Sequence, residues 1–198
     1  MFDDMRIARL RRELEARPAA RADRAPGIIE AAVALVLRPR ATMELLLIRR
    51  AERHADPWSG HMALPGGRRS AGDADLYSTA MRETREEVGA GLTRHAQFVG
   101  ALDEISPQSP RLPPVLVAPF VVTVPVHAAA EPDPREVAAA MWVPLPALAD
   151  EGAVDEFLIE REGSRAAFPA IRYGEHVIWG LTHRILLQFL DVAARAGL

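Results

Sequence analysis

The chain has 198 residues, 49% of them hydrophobic and 26% charged, with a formal net charge of -3. That length and apolar fraction suffice for one substantial core and exclude disorder as the dominant state, while the mild acidity excludes nucleic-acid binding by bulk positive charge. With no cysteine, disulfides, zinc-thiolate sites and cysteine nucleophiles are excluded, so a metal must be held by carboxylates, carbonyls or histidine, a donor set that favours hard ions such as Mg²⁺.

The first segment carries Met5, Ile7, Leu10 and Leu14 near a helical period, and Pro18 ends it. It has early acidic residues and no continuous apolar stretch, so it does not read as a signal peptide. Residues 17–26 read as a linker, which makes 1–26 an N-terminal helix and linker ahead of a single domain over 27–198. Residues 28–37 and 44–48 are strand-like apolar runs joined by a turn. A short run over 61–64 leads into Pro65-Gly66-Gly67, followed by a helix over about 73–88 that Gly89 stops. Strand-like runs return at 98–102 and 115–124, with a further short strand at 141–143. Residues 113–126, the longest apolar stretch, hold four prolines and are too short and broken to span a bilayer. A helical turn is expected at 145–149, loops and short strands over 157–179, and an amphipathic helix over 181–194. This order points to an α/β sandwich with a mixed sheet in a soluble, cytoplasmic protein. Trp142 and Trp179 read as core residues, whereas Trp58 falls on a loop where it can stack on a base.

The informative stretch is Gly66 to Ala90. At 100° per residue, Glu83, Glu86 and Glu87 fall within about 100° of one another on the helix. Tyr77, Ala80, Met81, Thr84 and Val88 form a neighbouring stripe able to pack on a sheet. Two carboxylates about 5 Å apart repel by roughly 3 kcal/mol at an effective dielectric of 20, and far less in bulk water. On spacing alone the face is either an ordinary solvated acidic surface, with an Arg82–Glu86 pair, or an enclosed site that a divalent cation compensates. The glycines at 66 and 67 add a loop whose backbone can approach a ligand closely.

In these residues the chain resembles the Nudix hydrolase family. Gly67 opens the family pattern, and Arg82-Glu83-Thr84-Arg85-Glu86-Glu87-Val88-Gly89-Ala90 closes it. The spacing from Gly67 to Arg82 is one residue longer than in the family, Asp73 stands for the first glutamate, and Thr84 sits where an aliphatic residue is usual. The resemblance implies an α/β/α sandwich with a mixed β-sheet, and hydrolysis of a nucleoside diphosphate linked to another group with Mg²⁺ or Mn²⁺. It implies that Glu83, Glu86 and Glu87 hold metal with the carbonyl of Gly66, that Arg82 orients the glutamates, and that Gly67 contacts substrate. The general base stays open between Glu86 and an acid from another loop, with Asp103 and Glu104 as candidates.

The stretch before Gly66, LLLIRRAERHADPWSGHMALPGG, and the C-terminal VIWGLTHRILLQFL resemble the coenzyme A diphosphatase branch of that family. The match is imperfect, reading Trp58-Ser59-Gly60-His61 where the branch has His-x-Gly-Gln. It implies that Arg49, Arg50 and Arg53 bind an anionic substrate such as coenzyme A. The expected partner is thus a small nucleoside diphosphate derivative rather than a nucleic acid or a membrane, and family likeness favours a homodimer. The other readings are a diphosphatase for ADP-ribose, a dinucleotide or a nucleoside triphosphate, and a module that binds a nucleotide without cleaving it.

Overall fold

The computed structural model describes residues 4–52, 59–106, 114–161 and 164–198. Helix α1 (Met5–Ala16) precedes strands β1 (Ile29–Pro39) and β2 (Met43–Arg50), then short strands β3 (Met62–Ala63) and β4 (Gly66–Arg68). Helices α2 (Leu76–Val88) and α3 (Ala90–Thr93) lead to β5 (Gln97–Ala101), β6 (Val115–Thr123) and β7 (Val137–Pro144). Helix α4 (Leu145–Ala149), strands β8 (Val154–Arg161), β9 (Ser164–Tyr173) and β10 (His176–Trp179), and helix α5 (Gly180–Arg195) complete the order.

The main sheet runs β3-β2-β1-β6-β5 and is mixed: β1 and β6 are parallel, while β1–β2, β5–β6 and β2–β7 are antiparallel. Strands β1 and β2 pair only near their shared turn, from Leu37↔Leu45 to Pro39↔Met43. Beyond that they diverge, and the gap is filled by β4 against β1 and β3 against β2. This fork carries the glycine loop into the sheet.

Strand alternation sends β1 side chains to opposite faces. Ala32, Ala34 and Val36 join Leu46, Ile48, Leu76, Ala80 and Val88 in a core under α2. Leu35 and Leu37 join Leu45, Leu47, Ile185, Leu186 and Phe189 in a second core under α5. Helix α1 belongs to this second core through Ile7, Leu10 and Leu14. Helices thus cover both faces of a mixed sheet, as expected for the sandwich. Truncating a fully buried leucine such as Leu45 or Leu47 to alanine removes about 2–5 kcal/mol of stability.

The segment after α1 is tied down by ion pairs. Arg17 meets Asp103 at 2.5 Å, the Ala20 and Ala22 amides donate to Asp103 and Glu104, and Arg24 meets both Glu104 (2.8 Å) and Glu30 (3.1 Å). Residues 157–179 differ from the expected loops and short strands. They form most of a separate antiparallel sheet, β10-β9-β8, paired from Val154↔Ile171 to Arg161↔Ser164. The expected strand at 141–143 begins at Val137. Its alanine run, 138–140, has little intrinsic strand preference and is held by pairing with β2. Trp142 is partly buried beneath the Arg38 guanidinium, 4.0 Å from the ring centroid. Trp179 is half-buried and outside both core clusters.

Candidate active site

Strand β4 lies against β1 with Val33↔Gly66, Ala32↔Gly67 and Ala31↔Arg68. Gly66 sits at φ +151, and a Cβ there would strike the Ala32 carbonyl oxygen and Val33. Gly67 is required for a different reason: a Cβ there would overlap the Glu83 carboxylate. The loop that follows closes on Asp73, whose Oδ2 accepts the Ser70 amide at 2.8 Å and the Thr79 hydroxyl at 3.0 Å. Asp75 caps α2 by accepting the Ser78 amide at 2.7 Å.

Arg82 organises the loop and the helix together. Its Nε donates to Asp73 Oδ1 (2.8 Å) and its Nη2 to Asp73 Oδ2 (3.0 Å) and the Arg68 carbonyl (3.0 Å). Its Nη1 donates to Glu83 Oε1 and Glu86 Oε2, both at 2.9 Å. This bidentate pairing holds the Asp73 carboxyl far below the usual carboxylate range, with the Ser70 amide adding to the effect. Asp73 thereby ties the loop after β4 to α2 through Arg82.

Thr84 is fully buried, and its hydroxyl donates to the Ala80 carbonyl at 2.7 Å. A polar residue is tolerated where an aliphatic one is usual because its donor is satisfied within the helix.

Glu87 is only 3% exposed, and its Oε2 accepts the Gly66 amide at 2.9 Å. Burial pushes its carboxyl up to about 8, against the Gly66 hydrogen bond and the Arg50 charge, which favour ionisation; Glu83 and Glu136 add repulsion. Glu83 is also raised by burial, with Arg82 opposing and Glu86 and Glu136 reinforcing the shift. Glu86 lies at the rim, its side chain half exposed. The arrangement is a concentrated, partly desolvated negative site beside a glycine loop, with one wall organised by Arg82.

The residue the sequence did not single out is Glu136. The end of α2 is sealed by the segment between β6 and β7, whose Glu131 and Asp133 amides donate to the Val88 and Glu87 carbonyls, both at 2.9 Å. That segment continues into Glu136, whose carbonyl accepts the Ala51 amide at 2.8 Å. Glu136 acts electrostatically on both Glu83 and Glu87. It lies about 50 residues downstream of the acidic helix, in a polar PDPRE stretch that reads like any surface turn.

A family model, the NUDIX domain, matches residues 29–160. The chain belongs to the Nudix family. A Schizosaccharomyces pombe protein, C14C4.10c, is 48% identical over 104 residues, 51% of this chain, and the match spans 32% of that relative's length. The Nudix hydrolase NudL of Yersinia pestis is 32% identical over 154 residues, covering 78% of this chain and 73% of NudL. A MutT/nudix family protein from Enterococcus faecalis has the same fold, with a TM-score of 0.57 at 15% identity, covering 87% of this chain and 65% of that one. The expected Nudix membership and sandwich fold are therefore borne out.

Within this Nudix fold, Glu83, Glu87, Gly66, Gly67 and Arg82 come together, with Glu86 at their edge. The Arg50 charge also acts on Glu87. Arg49 alternates with Arg50 along β2 and so lies on the side of Leu45 and Leu47, away from α2. Arg53 and Trp58 lie outside the described residues. Asp103 and Glu104 are engaged by Arg17, Arg24 and the amides after α1. No helix among the described residues is long and apolar enough to cross a membrane.

Proposed function

We propose that this Nudix protein is a divalent-metal-dependent diphosphatase that hydrolyses the phosphoanhydride of coenzyme A or a coenzyme A derivative, giving 3',5'-ADP and a phosphopantetheine. The observation that carries the reaction class is the convergence of Glu83 and Glu87 on Gly66 and Gly67. Two carboxylates that burial and mutual repulsion both disfavour as anions are a poor arrangement for a bare structural face, and a hard cation resolves it. A purely nucleotide-binding module gains nothing from such crowding.

The donor set fits Mg²⁺ or Mn²⁺: carboxylate oxygens of Glu83, Glu86 and Glu87, with the Gly66 carbonyl as a further candidate. Among the described residues no three acidic or imidazole side chains are already drawn together as a ligand group. Arg82 spans Glu83 and Glu86, so Glu86 must exchange that partner to join them. A bound ion supplies neutralisation of the diphosphate oxygens and a water of lowered pKa. The chain's own part is to position. Asp73 fixes Arg82, Arg82 fixes the helix relative to the glycine loop, and Arg50 adds positive charge for the diphosphate. Glu86 and Glu136, the two exposed acids of the group, have access to the proton of an attacking water.

The coenzyme A assignment rests on the LLLIRRAERHADPWSGHMALPGG and VIWGLTHRILLQFL stretches. The second of these forms β10 and α5, and β10 packs against β3 ahead of the glycine loop. The experiment is a panel of coenzyme A, acyl-coenzyme A, ADP-ribose, dinucleotides and nucleoside triphosphates with Mg²⁺ or Mn²⁺, products identified by mass. Coenzyme A ranking far below ADP-ribose would replace this substrate with another nucleoside diphosphate derivative. Full turnover retained in both Glu86→Gln and Glu87→Gln would remove the reaction from this acidic helix, and no turnover of any diphosphate in the panel would end the enzymatic reading.

A further inference from the structure

The β8–β10 sheet has one face that neither core uses. Its cross-strand pairs, Phe157↔Phe168, Asp155↔Ala170 and Trp179↔Ala170, put Asp155, Phe157, Phe168, Arg172 and Trp179 on the same side. The opposite side sends Ile171 and Ile178 into the core under α5. On the unused face Phe157 stacks on Trp179 with centroids 4.4 Å apart and planes 20° apart. Phe168 tilts against Trp179 at 5.7 Å and stays 39% exposed. The His61 ring meets Trp179 edge-on at 5.1 Å and Phe157 at 5.9 Å.

Two main-chain links run from this cluster towards the glutamate site. The His61 carbonyl accepts the amide of Arg50, the residue whose charge acts on Glu87. From His61 the chain runs through β3 directly into Gly66. Arg49 faces the α5 side of the sheet, which is also the side where β9 and β10 pack, and its Nε is buried with no acceptor among the described residues. The rim of the aromatic face is ionic: Arg172 meets Asp155 at 2.5 Å, yet Asp155 Oδ2 is buried without an aligned hydrogen bond.

We propose that this aromatic face is the nucleobase subsite, with the substrate's purine stacked on Phe168 and Trp179 while its diphosphate lies at Glu83 and Glu87. The proposal rests on the diphosphatase reading above. A planar base suits the face on two counts. Its rings match the exposed π surfaces, and its polar edge can accept from the half-exposed Arg172. An acyl chain would match the rings but leave that ionic rim opposed to hydrocarbon.

The test compares AMP with ribose 5-phosphate, which differ by the base alone, binding to the full chain in Mg²⁺ by calorimetry. AMP is expected to bind about tenfold or more tighter, the scale of one base stacked on an aromatic side chain. Phe168→Leu keeps apolar bulk and removes the ring; it should cut AMP affinity about tenfold and leave ribose 5-phosphate unchanged. Phe168→Tyr should restore AMP binding. Equal affinities for the two ligands, or equal weakening of both by Phe168→Leu, would overturn the subsite. Base discrimination without turnover of any diphosphate supports the subsite while sinking the enzymatic reading; turnover without base discrimination does the reverse.

Discussion

The amide of Gly66 donates to Oε2 of Glu87 at 2.9 Å, joining the glycine loop to the most buried acid of the helix. The bond favours the carboxylate, but burial outweighs it, and the group stays protonated up to about pH 8. Its folded-state pKa lies above its unfolded value near 4.5. The folded state therefore holds the extra proton between these limits. Its contribution to stability is full below about 4.5 and falls as pH rises towards 8, by about 1.4 kcal/mol per pH unit at most. Metal-free protein should lose urea resistance across that window. Glu87→Gln, which keeps an acceptor for Gly66 and carries no charge, should flatten the loss. A wild-type profile as flat as that of the variant would remove the burial argument.

Gly66, Gly67 and Gly72 separate three effects of adding one methyl group. Gly72→Ala meets nothing within 4 Å and should be close to neutral in melting temperature and activity. Gly67→Ala strikes the Glu83 carboxylate, so activity should fall by tenfold or more while the fold survives, because an end group can move. Gly66→Ala strikes backbone at a positive φ, so stability should drop by about 2 kcal/mol or more. Thermal melts and turnover numbers on the three variants check this order.

Arg82→Lys keeps the charge but not the fork that spans Asp73, Glu83, Glu86 and the Arg68 carbonyl. It should behave almost like Arg82→Ala, with activity reduced by about a hundredfold or more and loop residues 69–75 more open to proteolysis. Near-normal activity in the lysine variant would show that charge alone suffices.

Glu136→Gln should lower turnover by about tenfold or more, up to the 10²–10⁴-fold range if it is the general base. Asp103→Asn should leave turnover unchanged and lower stability, because Asp103 fastens the segment after α1. Steady-state kinetics beside chemical denaturation distinguishes the two acids, and the opposite pattern would return the role to Asp103.

The acidic helix was legible because its chemistry is local: Arg82, Glu83, Glu86 and Glu87 share a face through helical geometry alone, and Asp73 lies within reach along the chain. Glu136 was not, since only the packing of a distant turn on the end of α2 brings it near. Arg49 and Arg50 looked equivalent in sequence, and strand alternation sends them to opposite faces. Strands β8 and β9 read only as loops and short strands for a related reason. Residues 164–173 mix alanine, proline and arginine without clean alternation, and their strand state comes from pairing along β8 rather than from local preference.

The turn that supplies amides to the last carbonyls of α2 also delivers Glu136. Completing the helix and completing the acidic group are therefore a single structural event. Proline in place of Glu131 or Asp133, which removes the donating amide, would register at once as a frayed helix and as a chemical defect, although neither side chain need touch the substrate. Other side chains at these positions keep the amide and should be tolerated, and spectroscopy of helix content would tell the two kinds of substitution apart.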